Sequence, residues 1–458
     1  MSQLELNQPL APTLPRLPQA KSLPLLGSLP FFLRDPFHYL AESRKKYGEI
    51  YEFGLGPSKV VFLNHPRHGQ HVLRDNGRNY SKGDKMWDAL RELLGNGLVV
   101  SEGDFWRRQR RMMQPHFHRR RLAVLAERMM DAIESEIDKW PEESSEFDFF
   151  KAVTGITVNV IVRSMFGMGL SAEDRDTAAE CMAYCLDYML LGMATNSLPS
   201  WMPLPGKKKY RNYLKTFNDL TDRMIADARA GNIDPNSLLA MLVEATDADS
   251  GDQMTDAQLR DEMLNLFLAG YETTSIVLSW SMYYLTQDPV VMAKLWDEIE
   301  TVLGARPPTG ADLHRMPYSR MVLQEAMRIR PASWFIPRLA VEDDEIDGYF
   351  IPAGTAVVSL TYAYHHHPDI WPDSETFDPE RFAPGRDDGR PDLAFVPFGA
   401  GKRMCVGREF AYMEGQFALI RMMQRYVITA VSGKEAKPAL STTLRPKNGV
   451  WVQLKKRT

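Results

Sequence analysis

The 458 residues suffice for one large domain or several small ones, and 44% hydrophobic with 25% charged residues excludes disordered and fibrous chains. A formal charge of −4 at pH 7 gives no electrostatic basis for nucleic acid as the main partner. Cys181, Cys185 and Cys405 are odd in number and one stands more than two hundred residues from the others, which excludes a disulfide framework and points to a reducing compartment, the cytoplasm.

The first 30 residues hold Pro9, Pro12, Pro15, Pro18, Pro24 and Pro30 without a long apolar run, so they read as neither signal peptide nor membrane anchor. They are expected to form an extended leader (1–30) ahead of a single domain (31–458). A strand pair is expected at 50–55 and 60–63, with Gly56-Pro57 marking the turn. Helical patterns then dominate, over 105–113, 119–139, 149–166, 172–193, 207–230, 256–285, 290–303 and 319–330. Short strands return at 335–340, 346–350 and 356–360, before a last long helix over 406–425. The acidic stretch 247–256 reads as a surface loop. No repeat or linker divides the chain, so the fold class is mainly α with small β-sheets.

The helix over 256–285 opens on a capping-box pattern, Thr255 with Gln258, and would run about 45 Å at about 1.5 Å per residue. Its middle, 263–270, is almost wholly apolar and is expected to be buried on most sides. Asn265, Glu272 and three hydroxyl residues make a transmembrane reading costly.

Residues 395–407 read FVPFGAGKRMCVG, a glycine-rich loop followed by a helical face of Phe410, Met413, Phe417 and Ile420. That pattern puts Cys405 at a helix N-terminus, beside Lys402 and Arg403, where a thiolate is stabilised. Such a thiolate serves as nucleophile or metal ligand. A nucleophile wants a base, and His365, His366 and His367 qualify by identity only. Zinc would need a second nearby ligand, and a phosphate loop would need Ser or Thr after the lysine. Cys181 and Cys185 read as core.

Phe398, Gly401, Arg403, Cys405 and Gly407 together resemble the haem-binding loop of the cytochrome P450 family, F-x-x-G-x-R-x-C-x-G. The resemblance implies that Cys405 is the metal ligand of haem b, that Arg403 meets a haem propionate, and that the two glycines keep the backbone close to sulfur and porphyrin. Glu325-Ala-Met-Arg328 looks like the family's E-x-x-R helix, and Arg381 looks like the partner that completes a buried charge network behind the haem. Trp106 and Arg110 match its W-x-x-x-R helix, and Arg338 matches a further propionate-binding position. The implied fold buries the haem between the long central helix and the helix that begins at the cysteine loop.

Ala269-Gly-Tyr-Glu272-Thr273-Thr resembles the family's oxygen-activating segment, A-G-x-[DE]-T-T. It implies that Thr273 bonds bound oxygen and that Glu272 relays protons, against the plainer reading of a hydroxyl bonded to its own i−4 carbonyl. The glycine within a buried helix suggests a groove for oxygen and water. Met86, Trp87, Leu90, Leu94, Leu98, Phe267, Trp334 and Phe335 are expected to line an apolar substrate pocket, with further segments at 189–202 and 440–444. The implied function is a monooxygenase that inserts one atom of O2 into a fatty acid, terpenoid, steroid or macrolide-like molecule. Its electrons would come from NAD(P)H through a separate ferredoxin or flavodoxin and its reductase. The alternatives are a peroxide-driven peroxygenase and a non-catalytic haem sensor or carrier. Arg107, Arg108, Arg111, Arg119, Arg120, Arg121 and Lys402 offer either a basic docking face for the redox partner or a solvated surface.

Overall fold

The computed structural model describes residues 14–56, 58–83, 85–167, 172–195, 204–386, 389–439 and 441–457. Its first helices are α1 (Leu29–Arg34) and α2 (Pro36–Tyr47); Asp35 starts the second by accepting the His38 N–H ahead of a proline that needs no partner. Then come β1 (Ile50–Leu55), β2 (Ser58–Leu63), α3 (Pro66–Gln70), a π-helical turn (His71–Asp75) and β3 (Tyr80–Ser81). The helical run holds α4 (Lys85–Leu94), α5 (Gly103–Met113), α6 (Arg119–Ile137), the strand β4 (Glu143–Asp148) and α7 (Phe149–Val160), which a π-helical turn continues (Ile161–Met165). It goes on through α8 (Ala172–Thr195), α9 (Lys207–Arg229), α10 (Leu238–Glu244), α11 (Asp256–Gln287), α12 (Pro289–Val302) and α13 (Pro317–Ile329). The chain closes with β5 (Ile336–Ala340), β6 (Asp344–Ile346), β7 (Tyr349–Ile351), β8 (Ala356–Ser359), α14 (Thr361–His365), α15 (Arg408–Arg425), β9 (Tyr426–Ala430) and β10 (Trp451–Lys456).

These elements gather into two compact units, one from residues 1–84, 333–376 and 389–405, the other from 85–332, 377–388 and 406–458. The first unit is built on a sheet of order β1-β2-β8-β5-β3, in which only β2 and β8 run parallel. Val61, Leu63 and Val357 point from it into a core with Val72, Tyr364 and Val396. Part of the proline-rich leader runs beside β1, where Ala20 N–H donates to the Glu52 carbonyl at 2.9 Å and Ser28 N–H to the Gly54 carbonyl at 2.8 Å. The strand expected over 346–350 is in fact the turn of a hairpin. Asp347 and Gly348 take φ of 53° and 80°, the pair of left-handed residues that a tight two-residue turn demands, so β6 and β7 fold back on each other.

In the second unit α11 is the central helix, packed against α7, α9, α13 and α15. Its capping box is complete: Thr255 accepts the Gln258 N–H at 3.3 Å and Gln258 accepts the Thr255 N–H at 2.9 Å. A three-stranded sheet of order β4-β10-β9 lies in the same unit. Nothing local in the sequence announces it, because β4, ESSEFD, is polar and pairs with a strand from the far end of the chain. Among the described residues no helix is long and apolar enough to cross a membrane.

Candidate active site

In the first unit the cysteine loop is held from behind. Gly399 N–H donates to Val396 O at 3.1 Å, Met404 N–H to Gly401 O at 3.2 Å, and Cys405 N–H to Phe398 O at 2.9 Å. His365, wholly buried, accepts the Val396 N–H through Nε2 at 2.9 Å. Gly401 has φ +65° and sits against the π-helical turn, where an added Cβ would lie 2.0 Å from the Leu73 carbonyl oxygen, so no side chain fits. Cys405 emerges from this brace exposed, with Arg403 half-buried two residues before it. It stands three residues ahead of Arg408, where α15 begins, and Gly407 is the N-cap with φ −86°. Two turn residues, Val406 and Gly407, thus stand between Cys405 and the helix expected from about 406. Arg338 lies on β5 opposite Val357, 7% exposed, with one guanidinium N–H on the Pro337 carbonyl at 2.8 Å.

The three consecutive histidines point to different partners. His366 bonds the Tyr362 carbonyl at 2.9 Å and His367 meets Glu49 at 3.2 Å, while His365 serves the loop. Among the described residues no cluster of His, Cys, Asp or Glu has the makings of a metal site. Trp334 and Phe335 are rings in contact, 4.5 Å between centroids, and Trp334 stacks on Phe32 as core of this unit rather than as an open wall.

In the second unit α11 has one open stripe. Within 264–280 the accessible residues are 268–270, Thr273 and Val277; the remainder is buried. Ala269 is the most open, and Thr273 lies one turn on, its hydroxyl donating back to the Ala269 carbonyl at 2.6 Å. Glu272 points elsewhere. It is 6% exposed, and its Oε1 accepts the Thr443 hydroxyl at 3.0 Å. Burial raises the Glu272 carboxyl above the usual range, while the Thr443 hydroxyl and Arg445 pull it back. Acid and alcohol thus leave the helix on different faces and do not bond each other at rest. Gly270 answers a packing need: an added Cβ would stand 2.2 Å from Ile161 Cδ1 in the π-helical turn after α7.

Glu325 and Arg328, both wholly buried on α13, form a two-pronged ion pair, Nε to Oε2 and a terminal nitrogen to Oε1, each 2.8 Å. Glu325 Oε1 also accepts the Asp378 N–H at 3.0 Å and lies 3.3 Å from Arg381 Nε. Trp106 and Arg110 share a face of α5, and Arg110 Nε donates to Gln114 at 3.1 Å. The arginines around them do not stand free: Arg107 pairs with Asp104, Arg108 with Asp252 at 3.4 Å, and Arg111 with Asp247 at 2.7 Å and Asp249 at 2.6 Å. Cation and acid cancel there, which weakens a purely basic docking face.

The expected pocket residues diverge. Trp87, Leu90 and Leu94 line one face of α4; Leu94 is fully buried and Leu98 nearly so, whereas the Met86 side chain lies outside the described residues. Phe267 is 2% exposed and wedged between Phe217 and Tyr271, at 5.0 and 5.1 Å, so it belongs to the core against α9 and not to an open lining. Of the segment 189–202, Met189 is buried and the side chains from 190 on lie outside the described residues, as does Leu440. Cys181 and Cys185 are buried on α8, their thiols pushed up by burial to about 11 and about 12.

Several functional-looking groups carry no local mark in the sequence. The stretch after α4 is clamped to α11: Asn96 N–H donates to Asp261 at 2.8 Å, Leu98 N–H to Glu262 at 3.0 Å and Val99 N–H to Asn265 at 2.9 Å. Asn265 in turn donates to the Leu94 carbonyl at 2.9 Å. Burial raises the Glu262 carboxyl to about 8. On α15, Glu414 is wholly buried facing Thr274, and neither carboxyl oxygen reaches a hydrogen-bond partner. The Asp261, Glu262 and Asn265 spacing was visible, but nothing local announced what the side chains would hold.

The family model described as Cytochrome P450 matches residues 15–453, running through both units. Cyclooctatin synthase of Streptomyces melanosporofaciens is 32% identical over 91% of this chain and 90% of its own. Pentalenene oxygenase of Streptomyces avermitilis is 29% identical over 93% of this chain and 94% of its own. A solved cytochrome P450DA heme domain superposes with a TM-score of 0.88 over 97% of this chain and 98% of that one, at 23% identity, which shows the fold. The chain belongs to the cytochrome P450 family and is a haem-iron monooxygenase.

Proposed function

We propose that the chain oxygenates a cyclic terpenoid on a haem whose iron takes Cys405 as its thiolate ligand. Electrons come from NAD(P)H through a separate ferredoxin or flavodoxin and its reductase. The observation that carries the reading is the stripe on α11: a lone hydroxyl, Thr273, among small and aliphatic neighbours in a stretch, 264–280, that is otherwise buried. Relatives named for cyclooctatin and pentalenene chemistry support the substrate class.

The residues fit a thiolate-ligated haem by their chemistry. Cys405 is a soft ligand standing exposed on a loop whose backbone is braced at four points. Arg403 and Arg338 in one unit, and Trp106 and Arg110 in the other, are the donors proposed for the propionates. When bound, the haem supplies the activation of dioxygen, with the thiolate favouring O–O cleavage. The chain's own part is to hold protons and exclude water. Thr273 keeps one proton at Oγ1 on the open stripe, shared with the Ala269 carbonyl, and Glu272, a buried carboxyl that burial raises above the usual range, is the group proposed to relay another.

The haem-loaded protein, mixed with pentalenene, a cyclic terpene alcohol and a fatty acid in turn, should show a substrate-type Soret shift with the terpenoids. With NADPH, a surrogate ferredoxin, its reductase and isotopic O2, the product should carry one labelled oxygen. A shift with the fatty acid alone would overturn the substrate class. Turnover with hydrogen peroxide that exceeds the reductase-driven rate would overturn the electron source. Cys405→Ala should abolish the red-shifted band of the reduced, carbon monoxide-treated protein.

A further inference from the structure

The turn 441–446 touches α11 at two places. Trp280 Nε1 donates to the Leu444 carbonyl at 2.8 Å, and Thr443 Oγ1 donates to Glu272 Oε1 at 3.0 Å. The Leu444 N–H donates to the Ala332 carbonyl at 3.3 Å, and Arg445 pairs with Asp187 of α8. Exposure rises along this series: Glu272 is 6% exposed, Thr443 is half-buried, and the Arg445 and Asp187 side chains are 26% and 51% exposed. A buried acid is thus bonded to a half-buried hydroxyl on a turn that also carries the solvent-facing Arg445 and is tied down through Trp280, Ala332 and Asp187.

We propose that Thr443 is a positioning residue for oxygen activation, which holds Glu272 away from Thr273 at rest and passes it replacement protons from solvent. The inference rests on the reading of Glu272 as a proton donor. In the step, the Thr443 O–H bond breaks as its proton moves to the ionised Glu272 carboxylate. Thr443 Oγ1 takes a proton from a hydronium ion on the Arg445 side, leaving water. One proton moves inward and no electron is transferred. A hydroxyl suits the task because it donates and accepts at once. The Arg445–Asp187 pair keeps the turn seated so that the 3.0 Å contact persists.

The test compares Thr443→Val, which keeps the shape and loses the hydroxyl, with Thr443→Ser, which keeps the hydroxyl. In the haem-loaded enzyme, Thr443→Val should lower product formed per NADPH about tenfold and raise peroxide release, while Thr443→Ser stays within about twofold of wild type. A second readout needs no turnover. At pH 5 the infrared carboxyl C=O band that vanishes in Glu272→Gln should move to higher wavenumber in Thr443→Val and stay in place in Thr443→Ser. Uncoupling by Glu272→Gln but not by Thr443→Val would overturn this inference and leave the proton-donor reading standing. Normal coupling in Glu272→Gln would overturn that reading and this inference with it. An unmoved band in Thr443→Val would refute the contact itself.

Discussion

Replacing Arg328 by Leu leaves the Glu325 carboxylate buried with half its partners gone. Removing one member of a buried ion pair costs about 3–5 kcal/mol, since the remaining charge keeps its desolvation penalty. Glu325 is not wholly stranded, because the Asp378 N–H at 3.0 Å and Arg381 at 3.3 Å remain. Two such contacts offset about 1 kcal/mol between them when geometry is imperfect, which leaves a loss of about 2–4 kcal/mol. Adding Glu325→Gln should recover part of that loss, because a neutral amide is cheaper to bury than an unpaired carboxylate. Arg381→Leu should cost less, about 0.5–1 kcal/mol, since its contact with Glu325 is longer and it is not fully buried. Equilibrium urea unfolding of haem-loaded protein at pH 7, followed by far-ultraviolet circular dichroism, reads all three. A loss under about 1 kcal/mol in Arg328→Leu, or no recovery in the double variant, would refute the view that Glu325 depends on this guanidinium.

Gly270→Ala should destabilise by about 1–3 kcal/mol through overpacking, despite the helix preference for alanine, and Ile161→Val should restore most of the thermal midpoint by removing Cδ1. Glu262 has a folded-state value of about 8 against 4.5 as a free side chain, so between these the folded state holds the extra proton and stability falls as pH rises. Glu262→Gln should flatten that fall, worth up to about 1.4 kcal/mol per pH unit, when urea midpoints at pH 5 and pH 8 are compared; parallel slopes would refute it. Gly401→Ala forces a Cβ against the Leu73 carbonyl at φ +65°, so the loop must shift and haem incorporation, read as the Soret to protein absorbance ratio, should drop severalfold.

Long amphipathic helices and the cysteine loop were legible because their signals are local. Thr255 and Gln258 announced the start of α11 by a pattern four residues long, and the loop motif occupies ten. What stayed hidden depends on pairing across the chain. Thr443 meets Glu272 across 171 residues, and a threonine in a turn carries no mark of its partner. The motif reading joined Glu272 and Thr273 as neighbours, yet successive helical residues leave the axis about 100° apart, and the structure turns one to Thr443 and the other to Ala269. Phe267 and Trp334 were assigned to the pocket by position and apolar character, and that character suits a packed core equally well. The Asp347-Gly348 turn was readable from its dipeptide and was overlooked in favour of the apolar run around it.

The clamp between α11 and the stretch after α4 fixes where the molecule can breathe. Four hydrogen bonds join Leu94, Asn96, Leu98 and Val99 to three side chains of one helix, and Gly97 approaches so closely that a Cβ would lie 2.1 Å from Asn265 Nδ2. Lifting that stretch breaks all four at once, about 2–6 kcal/mol, so its amides should exchange with deuterium together and on the timescale of α11 rather than of a surface loop.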